Sequence, residues 1–181
     1  MMLNEREDKK RCKYRDYKRS HLFITFFMHK LLITDKGYKY KNVHRWSKSF
    51  DIFEMDKIFF PINIDNIHWT MAVVYIQLKE IHYYDSMSGD GMQWLESLRQ
   101  WLVDEAKEKK NIDLDTSEWS LVDRKAHVPQ QDNGCDCGVF ATICADFLSD
   151  DLPLDYKQDD IPFFREKIAA DILRGRLLYD I

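Results

Sequence analysis

The residues most able to do chemistry lie in a short polar segment, residues 130–138, that ends in Cys137 and Gly138. Asn133 and Gly134 form a turn signal, and the apolar residues that follow recur on one side of a helix, so a helix is predicted to begin at about Cys137. Free backbone N–H groups and the positive end of the helix dipole favour a thiolate there. Cys137 is therefore a candidate nucleophile, with an inert buried cysteine as the alternative. Asp136 is predicted to cap the helix through its carboxylate.

Two further residues could activate this thiol. His68 is predicted to open one strand of a hairpin and Asp85 to end the other, so both lie at the same end of the sheet. A turn centred between Leu78 and Lys79 would place Asp85 opposite Ala72, on the face of His68 but some residues away, and a bulge or curled strand end would have to close the gap. A carboxylate on one imidazole nitrogen leaves the other free to accept a thiol proton, which predicts a Cys/His/Asp triad.

Two side chains close in sequence to these three residues could have either a catalytic or a purely structural role. Gln131, upstream of Cys137, could direct its amide N–H at a developing oxyanion, or it could be an ordinary polar loop residue. Trp69 directly follows His68. It could pack in the core, or it could form an aromatic wall that admits only a thin substrate tail.

The elements that must position these residues are strands followed by helices. Strands are predicted at residues 58–64, at residues 68–76 and at residues 81–86, and the second of these, which His68 and Trp69 open, is apolar on both faces and therefore central. Pro61 indicates an edge or an irregularity in the first strand. A helix is predicted from Met92 to about Lys110, started by a capping box of Asp90 and Gln93. A short strand at residues 119–122 and a C-terminal helix after Pro162, reaching about residue 177, complete the pattern.

Composition narrows the possible classes of protein. The 181 residues fit one domain, 45% are hydrophobic, and the net charge of −4 gives no reason to expect a nucleic-acid partner. The longest apolar run is too short to span a membrane, so we expect a soluble, intracellular monomer without a membrane partner. Four cysteines in such a chain argue against a disulfide framework. No cofactor or metal is expected, although a zinc site using Cys135 and Cys137 is an alternative.

The first twenty residues differ from the rest of the chain. Residues 1–20 are nearly all charged or polar and are predicted to be a solvated helix end or loop, while a nuclear-import or anion-binding patch is the alternative. Residues 21–181 form the predicted catalytic domain.

These motifs resemble the ubiquitin-like-protein-specific cysteine proteases, the Ulp or sentrin-specific type that acts on SUMO. The resemblance covers about residues 21–178. The strongest matches are Pro61-Ile62-Asn63 with His68-Trp69, Tyr83-Tyr84-Asp85-Ser86-Met87 and the segment from Pro129 to Gly138, and weaker ones are Phe26-Phe27, His44-Arg45-Trp46 and Phe163-Phe164-Arg165. The resemblance implies an α+β, papain-like fold with a central mixed or antiparallel sheet flanked by helices.

The resemblance also implies a function and its residues. His68, Asp85 and Cys137 would be the triad, Gln131 would line the oxyanion hole, and Trp69, Trp46 and Arg45 would contact substrate. The reaction would be cleavage after the C-terminal Gly-Gly of SUMO, in deconjugation or in precursor maturation, by a nuclear or nucleocytoplasmic enzyme. The family's first helix and its tryptophan are not matched by residues 1–20, as in an N-terminally shortened version. The alternatives are a catalytically weak binding module for a ubiquitin-like protein and a protease for a NEDD8-like modifier.

Overall fold

The computed structural model describes residues 2–13, 19–33, 37–124, 127–175 and 177. Within these residues, the helices are α1 (Met2–Lys13), α2 (Phe26–Leu31), α3 (Met92–Lys110), α4 (Cys137–Ser149) and α5 (Ile161–Arg174). The strands are β1 (Ser20–Leu22), β2 (Leu32–Ile33), β3 (Gly37–Tyr38), β4 (Lys57–Ile64), β5 (His68–Tyr75), β6 (Glu80–Tyr84) and β7 (Ser120–Asp123). None of the described helices is long and apolar enough to cross a membrane.

The main sheet has five strands in the order β1-β4-β5-β6-β7, and β2 pairs with β3 separately. The central strand β5 runs antiparallel to both of its neighbours, β4 and β6. The outer strands are parallel to theirs, β1 to β4 and β7 to β6, so the sheet is mixed. Pro61 pairs with Met71 of β5, and β1 stops opposite Phe59, so Pro61 has a strand on one side only. The predicted edge position of this proline is confirmed, because its missing N–H falls where no ladder bond is required.

β5 lies at the centre of the sheet, as its apolar sequence predicts. Ala72 and Val74 face a large core with α2 and α3, whereas Met71 and Val73 face a second core with α4. The alternation follows from the period of two along a strand. Because α4 covers β5 directly, the start of that helix is brought to the start of that strand.

The hairpin of β5 and β6 forms, but its register differs from the predicted one. Ala72 pairs with Tyr83 and Met71 with Tyr84, so continuing the ladder puts Asp85 beside Thr70 instead of Ala72. The turn is centred between Gln77 and Leu78, one residue earlier than expected, with Lys79 at a left-handed φ of 54°, and this moves the pairing by two residues. A shift of two keeps Asp85 on the face of His68 and brings the two residues closer together.

Helix ends differ from the sequence predictions more than helix positions do. α3 spans the predicted residues, but its N-cap is Gly91, and Asp90 accepts a hydrogen bond from the Met92 N–H at 3.1 Å, so the expected capping box with Gln93 is wrong. Gly91 is fixed there because a Cβ would lie 2.2 Å from the Tyr83 ring. α5 ends at Arg174, before the predicted residue 177, because Gly175 takes the left-handed conformation that terminates helices.

α1 is attached to the domain by a buried cation. The Arg6 side chain is 5% exposed and donates to Asp146 and to the hydroxyl of Ser149, both near the end of α4. Asn4 also exchanges two hydrogen bonds with the backbone of Leu22 in β1, at 2.8 and 3.0 Å. The charged N-terminal segment is therefore not simply solvated, because its first helix packs on both α4 and β1.

Candidate active site

The clearest chemical pair in the structure is His68 with Asp85. The imidazole Nε2 lies 2.6 Å from Oδ1 of Asp85, with the side chains 16% and 3% exposed. A carboxylate only accepts, so Nε2 must carry the proton in this bond. The other ring nitrogen, Nδ1, is buried and has no hydrogen-bond partner among the described residues. An oriented imidazole with a free nitrogen can therefore take up a proton from a neighbouring group.

The Asp85 carboxylate is fixed by the turn that follows β6. Oδ1 also accepts from the Met87 N–H at 2.8 Å, and Oδ2 accepts from the Gly89 N–H at 3.0 Å. A Cβ on Gly89 would lie 2.5 Å from Oδ2, so the approach of this N–H depends on glycine. These three donors, together with the Tyr83 hydroxyl 3.5 Å from Oδ2, hold the carboxylate in one orientation.

Cys137 is the first residue of α4, as predicted. Its Sγ lies 4.0 Å from the backbone oxygen of Ile67, the residue before His68, and the side chain is 6% exposed. Contact of α4 with β5 therefore places the sulfur beside the start of the strand that carries His68. Two other described cysteines differ: Cys135 is exposed, and complete burial raises the pKa of the Cys144 thiol, which keeps that thiol protonated.

Gln131 lies next to the turn that holds Asp85. Its backbone N–H donates to the Ser86 oxygen at 3.0 Å, and its Oε1 accepts from the Ser86 hydroxyl at 2.7 Å. Its Nε2 donates to the carbonyl of Asn133, in the loop that leads to Cys137. Since Ser86 occupies the oxygen, the amide nitrogen points toward that loop, and one of its two protons is available to a ligand. Sequence reasoning missed this role of Ser86, because no local pattern relates a serine after β6 to a loop 45 residues later.

A groove of about 700 Å³ opens in front of Trp69. It is lined by α2, the β4–β5 turn and the start of α3, with Phe26, Asn66 and Trp94 among its side chains. A Cβ built on Gly138 would be 3.5 Å from Trp69, so the indole lies against the first turn of α4. Trp69 is thus shared by the lining of the groove and by the contact with the first turn of α4, the turn that begins at Cys137.

The other two predicted substrate contacts lie elsewhere on the surface. Trp46 is half-buried and packs on the ring of Phe27, with centroids 5.5 Å apart, and Arg45 is exposed. The described lining of the groove includes neither of them. Their contact with substrate remains a prediction.

Asp136 is the N-cap residue, but its carboxylate does not cap the helix, so that part of the sequence prediction is wrong. Oδ1 accepts from Arg165 of α5, and Oδ2 accepts from Gln158 at 2.8 Å and Asn133 at 2.7 Å. These hydrogen bonds, chiefly from Arg165, lower the pKa of Asp136 to about 2. Because Arg165 of α5, which is distant in sequence, binds the Asp136 carboxylate, this side chain does not accept from the N–H groups of its own helix.

No group of three or more metal-ligating side chains occurs within the described part of the chain. Cys135 instead directs its thiol at Oδ1 of Asn133, 3.4 Å away. Nothing in the described geometry therefore supports the zinc alternative.

Comparison with known proteins identifies the fold. A solved Ulp1 protease domain in complex with Smt3, the yeast ortholog of SUMO, is 31% identical with a TM-score of 0.72, over 88% of this chain and 70% of that one. The Ulp1-like SUMO protease catalytic domain of Chaetomium thermophilum is 26% identical with a TM-score of 0.77, over 99% and 70%. The α+β, papain-like fold predicted from the sequence is confirmed.

Sequence comparison then defines the family. The model of the Ulp1 protease family, C-terminal catalytic domain, matches residues 1–177. Sentrin-specific protease 2 of Pongo abelii is 41% identical over 169 residues, 93% of this chain and 28% of that protein. Ubiquitin-like-specific protease 1A of Arabidopsis thaliana is 38% identical over 178 residues, 96% of this chain and 34% of that protein. The chain belongs to the Ulp1 protease family, and it spans about a third or less of the length of these relatives.

Proposed function

We propose that this chain is the catalytic domain of a cysteine protease that cleaves after the C-terminal Gly-Gly of SUMO or a SUMO-like modifier, in deconjugation, precursor maturation or both. The observation that carries the proposal is the His68–Asp85 pair, with a free Nδ1, beside a cysteine at a helix N-terminus. The relatives are named sentrin-specific and ubiquitin-like-specific proteases, and one structural neighbour was solved with yeast SUMO bound.

In the proposed reaction, Nδ1 of His68 takes the thiol proton of Cys137, while Asp85 holds the ring and stabilises the imidazolium. The thiolate attacks the carbonyl carbon of the last glycine. The carbonyl oxygen becomes an oxyanion, which the N–H of Cys137 and the amide of Gln131 stabilise. The imidazolium then protonates the departing amine, and a thioester remains. His68 next deprotonates a water molecule, which attacks the thioester and releases the modifier and the free thiol.

The groove accounts for a preference for glycine. Trp69 lies at van der Waals distance from Gly138, the residue that directly follows the proposed nucleophile. An extended Gly-Gly tail has no Cβ atoms and would pass beside the indole, whereas larger residues would collide with it.

Covalent labelling tests the assignment of the nucleophile. A SUMO protein with a C-terminal electrophile should add one equivalent of mass to the wild-type chain, and Cys137→Ser should remove the adduct. Cys135→Ser, which changes the exposed neighbouring thiol, should label like the wild type. Unchanged labelling of Cys137→Ser would refute the assignment.

A cleavage panel separates the candidate functions. Fusions of SUMO, NEDD8 and ubiquitin should be compared at equal concentration, and preferential SUMO cleavage is expected. Cleavage of the NEDD8 fusion alone would identify the related modifier as substrate. Saturable SUMO binding without cleavage of any fusion would instead indicate a binding module.

The proposed setting of this enzyme is a nuclear or nucleocytoplasmic monomer whose partners are the modifier and its conjugates, with no nucleic acid or membrane. The net charge of −4 supports the exclusion of nucleic acid as a partner. Sedimentation velocity and imaging of a fluorescent fusion test the oligomeric state and the location.

A further inference from the structure

The aspartate that precedes the proposed nucleophile occupies a position that should harm catalysis. An aspartate at a helix N-cap ordinarily accepts from the N–H groups of the first turn. The N–H groups of Cys137 and Gly138 have no acceptor within α4, because they lie at its start, while those of Val139 and Phe140 donate to the Asp136 carbonyl at 2.9 and 3.0 Å. A carboxylate at this helix start would occupy free donors and place negative charge beside the thiolate.

The structure avoids this by tying the carboxylate to other elements. Arg165 donates to Oδ1 through Nε, at 3.1 Å, and through Nη2, while the neutral amides of Gln158 and Asn133 hold Oδ2. The same Nη2 also donates to the Cys135 carbonyl at 3.3 Å. One guanidinium therefore restrains both the side chain of Asp136 and the backbone that precedes it.

The backbone at Asp136 supports the same interpretation. Its φ and ψ of −97° and −2° are not the extended angles at which N-cap side chains accept hydrogen bonds. The Asn133 side chain adds two restraints, since its Oδ1 accepts from the N–H groups of Cys135 and Asp136 at 3.0 and 3.1 Å. The loop is thus held in a conformation that leaves the start of the helix uncapped by Asp136.

We propose that Arg165 is a positioning residue: by holding the Asp136 carboxylate and the Cys135 carbonyl, it keeps the first N–H groups of α4 free for the thiolate and the oxyanion of the reaction at Cys137. This inference rests on the proposed protease function. Among the described residues, the charged or titratable groups near Cys137 include His68 with Asp85 on one side, and Asp136 with Arg165 and the exposed Cys135 thiol on the other. Arg165 acts through Asp136 and touches neither substrate nor sulfur.

The side chain of Arg165 is 49% exposed, so its substitution should leave the fold intact. In Arg165→Ala, we expect kcat for a SUMO C-terminal fluorogenic amide to fall about 10- to 100-fold, a loss typical of a small displacement of catalytic groups, with KM within threefold. Arg165→Lys keeps the charge but not the forked geometry, so its kcat should lie between the values of the wild type and Arg165→Ala. Arg174→Ala, an exposed arginine in the last turn of the same helix, is the matched control and should behave as wild type.

A pH profile separates positioning from a general loss of structure. The rate of Cys137 alkylation by iodoacetamide, followed on its own peptide by mass spectrometry, should rise with pH at a higher midpoint in Arg165→Ala than in wild type or Arg174→Ala. In the Asp136→Ala background, which has no carboxylate at this position, Arg165→Ala should lower kcat by a smaller factor than it does in the wild type, because only the contact with the Cys135 carbonyl is left to lose.

The possible failures are distinguishable. Wild-type kcat and alkylation midpoint in Arg165→Ala would overturn the inference while leaving the protease function standing. A fall in kcat together with the melting temperature, at an unchanged alkylation midpoint, would indicate a structural role and would also overturn it. Absence of turnover and of covalent labelling in the wild-type chain would instead refute the proposed function itself.

Discussion

The Asp85 carboxylate illustrates how one residue can fix the state of another. Oδ1 accepts from both His68 Nε2 and the Met87 N–H, while Oδ2 accepts from the Gly89 N–H. Because the neighbouring groups are donors, both carboxylate oxygens of Asp85 must act as acceptors. This arrangement sets the tautomer of His68 and leaves Nδ1 as the nitrogen able to act as a base.

Asp85→Asn should therefore reduce kcat by about 10⁴-fold, the scale known for this change in a serine-protease triad. At Oδ2 the new NH₂ group would face the Gly89 N–H and the Tyr83 hydroxyl, so a backbone anchor is lost. At Oδ1 it would face the Met87 N–H and His68, so His68 changes tautomer and presents a protonated Nδ1. Steady-state cleavage of a SUMO fusion measures the loss. Asp113→Asn, at an exposed aspartate paired with Lys107, should remain at the wild-type rate. A reduction of less than tenfold in Asp85→Asn would argue against the assigned role of the carboxylate.

The sequence predicted which residues come together at this site better than it predicted the strand register and the hydrogen-bond partners that bring them together. Alternation places His68 and Asp85 on one face whatever the exact turn, because a register shift of two preserves the face. The register itself depended on Lys79, a non-glycine residue with positive φ, which carries no clear sequence signal. The carboxylate of Asp136 was misassigned because Arg165, its competing partner, approaches from a helix that local patterns cannot relate to it.

At the scale of elements, the link between β6 and α3 depends on close contact at Gly91. A Cβ there would lie 2.2 Å from the Tyr83 ring, and Tyr83 is fully buried, so neither side can move away cheaply. Gly91→Ala should destabilise the fold by about 1–3 kcal/mol, which corresponds to several degrees in melting temperature. Gly134→Ala is the control, because a methyl group at that position would have no atom within 4 Å. Equal melting temperatures for the two variants would contradict this account of the contact.

The attachment of α1 is another property of elements. Arg6 is buried against Glu7 and the carboxylate of Asp146, so its removal takes away a buried cation that both anions share, while Asp146 retains Lys167 at 3.9 Å. Arg6→Ala should cost about 3 kcal/mol, at the low end for a broken buried pair, because Asp146 is partly exposed. Chemical denaturation measures the difference. Lys9→Ala, at an exposed position of the same helix, should unfold at the wild-type midpoint. If both variants unfold alike, α1 does not depend on this cation.

The described part of the molecule packs three apolar cores, and two largely buried histidines lie in or beside the main sheet. His21 lies between α1 and the large core, with its ring 4.2 Å from Phe50 and 4.8 Å from Phe23. Burial lowers the pKa of His21 to about 4, and the nearby Asp8 only partly opposes this effect. Burial also lowers the pKa of His82 in the sheet. Both histidines are thus neutral in the folded protein at pH values where the unfolded chain would bind a proton.

Global stability should consequently decrease as the pH falls from about 6.5 to 4, because the unfolded chain takes up protons that the folded chain excludes. The contribution of His21 should be about 1–3 kcal/mol, and His21→Phe, which keeps a ring in the aromatic contact, should flatten the loss over this range. Asp136 acts in a separate window: its pKa of about 2 means that its stabilising contribution is complete above about pH 4 and is lost as the pH falls toward 2. Urea unfolding at pH 7, 5.5, 4 and 2.5 resolves the two effects, with His29→Phe, at an exposed histidine of α2, as the control. If His21→Phe loses stability between pH 7 and 4 as steeply as His29→Phe, burial of His21 is not the source of the acid sensitivity, and the loss must arise at His82 or among the carboxylates.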